Sequence, residues 1–223
     1  MTVDHHRPPA RWRQLGTLAV VVLATVVLAT CGEGEVVEAG ADDVIDHARD
    51  RELVLQARRV GGFLPARVFA DVPTATVLGD GTMIIEGAQI EIFPPPALPP
   101  LFQVRLSQEG LQDVLAHAKE AGLLSPPPDY GTPPVADATT TVITVHAEGE
   151  QVTHEIYALA EAASDTPGLS ERQEQRREGV LRFVGALGAP DQGLVPPEEV
   201  SRATPFAAQR FAIRAQPAPP GDE

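Results

Sequence analysis

The sequence predicts an α+β fold. Its expected form is a mostly antiparallel sheet built from two hairpins plus extra strands, with two amphipathic helices packed on it. Three observations carry this. Asp80-Gly81 and Glu148-Gly149 each lie between runs that alternate apolar and polar residues, as hairpin turns do. Leu111, Val114, Leu115 and Ala118 recur at helical spacing, as do Val180, Leu181, Val184 and Leu187. Twenty-two prolines and nineteen glycines interrupt the chain often enough to keep its elements short.

The elements follow in chain order. Residues 44–50 suit a short helical turn. Residues 52–60 (ELVLQARRV) alternate loosely and read as a strand, ended by Gly61-Gly62. The run ATVLGDGTMIIE is the first hairpin. A two-residue Asp80-Gly81 turn would pair Leu78 with Met83 and Val77 with Ile84. Asp80 is not read as a calcium ligand, because the further acidic ligands at fixed spacing are missing. FPPPALPP (residues 93–100) is a stiff surface loop, and LFQVRL (residues 101–106) is a strand.

Ser107 caps the first helix, with Glu109 in its first turn, and Gly122 closes it. His117 and Lys119, the only lysine, flank its apolar stripe as solvated edge residues. After the loop SPPPDYGTPPVADATTT comes the second hairpin, turning at Glu148-Gly149. Its register pairs Val145 with Val152, Ile143 with His154 and Thr141 with Ile156. His146 and His154 then fall on opposite faces and cannot share a metal. Ser170 and Gln173 form a capping box for the second helix. Glu171, Arg172, Arg176, Arg177 and Glu178 read as its solvated face. Residues 205–215 suit a final strand, and residues 216–223 a disordered tail.

The N-terminus is organised differently. Of 17 basic and 31 acidic side chains, three and one fall within residues 1–30; the rest carry a formal charge of −16. Such a surface repels nucleic acid and anionic lipid headgroups, so a nucleic-acid partner is not expected. Arg7, Arg11 and Arg13 precede the uncharged residues 17–30, the plan of a secretory signal. The run ends Leu28-Ala29-Thr30-Cys31, which resembles the lipobox of bacterial lipoproteins, with Thr30 where Gly, Ala or Ser is usual. The resemblance implies a lipid on Cys31, cleavage before it, and attachment to the outer face of the cell membrane. An uncleaved membrane anchor and a signal cut elsewhere are the alternative readings of the same run. The domain boundaries that follow are a signal peptide at 1–30, an acidic tether at 31–48, one globular domain at 49–215 and the tail at 216–223.

GGFLP, VLGDG, LSQEGLQDVLAHAKEAGLL and PDYGTPPVADATTTVITV resemble segments of an uncharacterised group of secreted actinobacterial proteins. That resemblance implies a compartment and a fold, and carries no activity.

No GxSxG, SxxK or HExxH motif occurs, and one cysteine excludes an internal disulfide. The reactive residues that fall together are Asp129, Tyr130, Asp137, His154 and Glu155, in a Gly/Pro-rich loop and the strand beside it. They are the candidate ligand-binding residues. The expected role is a non-enzymatic envelope domain that binds a ligand or partner protein, without cofactor or metal. The alternative is a hydrolase-like envelope enzyme using Asp129, Asp137 and His154. The enzyme requires His154 in an open pocket within reach of a carboxylate. The binding domain requires an apolar patch or groove near Tyr130.

Overall fold

The computed structural model describes residues 44–62, 72–88, 92, 99–162 and 166–208. The expected signal peptide, Cys31, the tether up to residue 43, the proline-rich residues 93–98 and the tail 216–223 lie outside the described residues. The chain divides into two units, Met1–Gly40 and Ala41–Glu223, and the fold below is that of the second.

Seven strands form one antiparallel sheet: β1 (Leu53–Gly61), β2 (Ala75–Leu78), β3 (Thr82–Glu86), β4 (Leu101–Arg105), β5 (Thr139–Ala147), β6 (Glu150–Tyr157) and β7 (Thr204–Pro205). Their order is β6-β5-β1-β2-β3-β4-β7. Two helices, α1 (Gln108–Glu120) and α2 (Glu171–Leu187), complete an α+β fold, the expected class. A 3₁₀ turn, Pro197–Glu199, leads toward β7.

The core is one cluster. Leu55, Val77, Met83, Ile143 and Ile156 from the sheet share it with Leu111, Val114 and Leu115 of α1 and Val180, Phe183 and Leu187 of α2. A helix as short as α1 is marginal by itself in water. Burying each large apolar side chain contributes about 1.5–3 kcal/mol, so packing decides that it forms. Its ends are also defined by sequence. The Ser107 hydroxyl accepts from the Gly110 N–H at 2.9 Å. At the other end Gly122 adopts φ 78°, Gly122 N–H donates to the Lys119 carbonyl, and Leu123 N–H donates to that of Ala118. This is a Schellman closure, which favours glycine at the left-handed position.

The β5–β6 register is the expected one, with Ile143 opposite His154 and Val145 opposite Val152. Glu148 and Gly149 take φ 56° and 73°, the positive values of a two-residue hairpin turn. The β2–β3 register differs from expectation by one residue. Val77 pairs with Met83 and Thr76 with Ile84. The loop therefore holds three residues, 79–81, with Gly81 at φ 80°. Asp80 helps to set it by accepting from the Thr82 N–H at 2.9 Å. The physical reason for the shift is burial. The expected pairing would put Val77 and Met83 on opposite faces, whereas both are fully buried in the core.

Three other expectations are corrected. Residues 44–50 form no helical turn, because tertiary hydrogen bonds take their backbone groups. Gln112 both donates to the Ile45 carbonyl and accepts from its N–H, at 3.0 and 2.9 Å. Glu148 accepts from the Asp46 N–H through its carboxylate and donates its own N–H to the Asp46 carbonyl. Ile45 is buried in the core, so the packed chain begins before residue 49, inside the expected tether. Of the expected final strand, Thr204–Pro205 pair as β7 and residues 206–208 are irregular, while residues 209–215 lie outside the described residues.

Two glycine substitutions separate conformation from collision. Gly122→Ala should cost about 1–2 kcal/mol, from its left-handed backbone alone, since nothing lies within 4 Å of the added carbon. Gly79→Ala should cost more, because its Cβ would meet the Ala48 carbonyl where residues 44–50 cross the loop. Urea unfolding of the two variants ranks them; equal losses would mean that the 44–50 segment does not hold the loop in solution.

Candidate functional site

The loop from Gly122 to Ala138 leaves α1, crosses the end of β6 and enters β5. It carries Tyr130 into the core, where that side chain is almost fully buried. Its hydroxyl lies 2.8 Å from Nδ1 of His154 on β6. The rings meet edge-on, with centroids 5.9 Å apart. His154 is fully buried. Its other nitrogen, Nε2, lies 3.2 Å from the Leu123 carbonyl just after α1.

These partners define the tautomer. A carbonyl only accepts, so Nε2 carries the hydrogen, and Nδ1 accepts from the Tyr130 hydroxyl. Burial holds the imidazole pKa below its ordinary 6.5, with hydrogen bonds to the backbone at Leu123 and Ser125 opposing the shift. Burial likewise raises that of Tyr130, against the charge of Arg176. His154 is therefore a neutral, doubly bonded core residue. It is not the open base beside a carboxylate that the enzymatic alternative requires.

The three acids stand apart from this pair. Asp129 is exposed and braces the loop. Its Oδ1 accepts from the Gly131 N–H at 2.8 Å, and its Oδ2 accepts from Nε2 of Gln173 on α2 at 3.0 Å. Asp137 is exposed in a turn at φ 54°. Glu155 is exposed on the outer face of β6. Of the five candidate residues, the fold brings only Tyr130 and His154 into contact. Among the described residues, no three of His, Cys, Asp and Glu lie close enough to hold a metal.

Arg177 is the residue that sequence reading misplaced. It is buried rather than solvated. Its guanidinium donates to the carbonyls of Tyr130 at 3.4 Å, Tyr157 at 2.9 Å and Ala158 at 2.6 Å. Burial lowers its pKa from the ordinary arginine value, and the charge of Glu161 opposes that. Glu161 is fixed by Thr139 at the start of β5. Its Oε1 accepts from the Thr139 N–H at 3.0 Å and hydroxyl at 2.7 Å. Burial works against its charge, but those hydrogen bonds outweigh it and hold the carboxyl below its ordinary value. The one local signal is spacing: Arg177 precedes Val180 by three residues and so falls on the buried stripe with Phe183 and Leu187. Leu181, expected in that stripe, is instead exposed, and Val184 is only half-buried.

Beside Arg177 a shallow groove of about 190 Å³ runs between α2 and the chain that follows β6. Leu159, Ala162, Leu169 and Leu181 line it with Glu174 and Glu178. Arg177, which lines it, also donates to the Tyr130 carbonyl.

His154→Leu should cost roughly 2–4 kcal/mol, since it leaves the Tyr130 hydroxyl and Leu123 carbonyl without a partner in a tight site. In the wild type the unfolded chain binds a proton at His154 more readily than the folded one. Stability should therefore be full above pH 6.5 and fall as the pH drops below it toward the depressed folded value. His154→Gln should flatten this slope in urea titrations at a series of pH values; an unchanged slope would assign it to other groups. Arg177→Met should cost about 2–3 kcal/mol by thermal or urea unfolding, because three carbonyls lose a charged donor. No family model, curated protein or solved structure matches the chain, so what it does has to be read from its own residues.

Proposed function

We propose that this chain is an exported bacterial domain, held on the outer face of the cell membrane by a lipid on Cys31. In this reading it binds a partner protein there and is not an enzyme. Its scaffold is a sheet of two hairpins and added strands, with two amphipathic helices docked on it.

The observation that carries the binding role is the state of the reactive side chains. His154, Tyr130, Asp129, Arg177 and Glu161 all hold the fold together, and none is left as a free acid, base or nucleophile in a cleft. The size of the groove favours a protein over a small molecule. At about 190 Å³ it is smaller than the ~300–1,000 Å³ that encloses a typical small ligand. The formal charge of −16 left after cleavage (14 basic against 30 acidic side chains) favours a partner with basic residues.

The anchoring is tested through two residues. Trp12 is the only tryptophan. Cleavage before Cys31 leaves Tyr130 and Tyr157 as the fluorophores, so protein extracted from membranes should show tyrosine emission alone. Cys31→Ala should lose the lipid and, with it, recovery of the processed protein in the membrane fraction. Tryptophan emission from the extracted wild type would rule out the cleavage.

A further inference from the structure

The two edges of the sheet are built differently. One edge is β7, only two residues long, and one of them is Pro205, which has no N–H to offer. The other edge is β6, eight residues long, with no proline and no lysine. β5 lies on one side of it, and among the described residues no strand lies on the other. Among the described residues, the backbone of residues 150–156 is bonded by no element except β5. Only the last carbonyl of the strand, at Tyr157, is covered, by Arg177. Natural sheets rarely leave an edge of this length unblunted, because it templates pairing with another chain.

We propose that the free edge of β6 is the docking surface, and that an extended segment of a partner protein, carrying apolar and basic residues three apart, adds to it as an eighth strand. The proposal rests on the partner-binding reading above and names the site and the chemistry. The side chains beside the edge select the occupant. Near the hairpin, Leu124, Val145, Ala147 and Val152, with Glu148 and Glu150 at the turn, line a notch of about 30 Å³, room for a small apolar group. Toward the other end, Glu155 stands exposed on the opposite face. Val152 and Glu155 are three residues apart and so point to opposite faces. A paired strand therefore needs its apolar and basic residues at the same separation.

A second copy of this chain fits less well, because β6 carries no lysine or arginine to set against Glu155.

The probe is a fluorescein-labelled peptide of alternating valine and lysine, as long as β6. It is added to the full-length lipidated protein in a zwitterionic detergent. Fluorescence anisotropy should show saturable binding, and amide exchange should slow in residues 150–156. N-methylation of the peptide at alternate residues, on the pairing side, should abolish binding, which charge attraction alone would survive. Glu155→Lys should weaken binding by about fivefold and shift preference to a valine–glutamate peptide. Protection on α2 in place of β6, indifference to N-methylation, or no saturation would each overturn the edge assignment. Protection on α2 would do so while leaving the partner-binding reading standing. A shift to dimer on removal of detergent, with β6 protected, would instead make the occupant a second copy and overturn the partner chemistry.

Discussion

A guanidinium buried at the end of β6 settles how four separate stretches of chain meet. Arg177 reaches from α2 to carbonyls of the Tyr130 loop and of the β6 terminus, while Glu161 supplies the countercharge and ties itself to the start of β5. Removing a cation from water is costly unless charge and hydrogen bonds replace the water. This cost makes the arrangement selective. The guanidinium is satisfied only when α2, the loop and both strands are in place. Ala158, at φ 50°, is held in an uncommon backbone conformation there, with its carbonyl turned to the arginine and its N–H to the Thr139 carbonyl.

The Tyr130–His154 pair applies the same rule without charge. An imidazole in an apolar core is acceptable once both nitrogens are bonded and the ring is neutral. It then links the loop, β6 and the end of α1 in one place. Among the described residues no buried side-chain nitrogen or oxygen lacks a partner. Polar groups in this core act as register pins, and that is why the residues with the most chemical potential are the least available to solvent.

That arrangement shapes the surface left for recognition. Loop, arginine and helix crowd the far end of β6 and protect it. Among the described residues the rest of that strand keeps an open edge, while the opposite side of the sheet closes with a proline-ended strand of two residues. The asymmetry concentrates any strand addition on one edge, whose own sequence offers no lysine or arginine to its acids.

Local chemistry was legible in the sequence. The caps at Ser107 and Ser170, the Gly122 closure, the Glu148-Gly149 turn and the opposite facing of His146 and His154 depend on near neighbours and on a period of two or 3.6. The mutual contact of Tyr130 and His154 was approached only as a neighbourhood of candidates, and the acids grouped with them proved to be elsewhere. What only the tertiary structure decided involves residues far apart in the chain. Residues 44–50 follow Gln112 and Glu148 rather than their own helical tendency. The β2–β3 register follows the core rather than the favoured two-residue turn. Arg177 lies inside because carbonyls more than a dozen residues away replace its water, and no local pattern encodes that exchange.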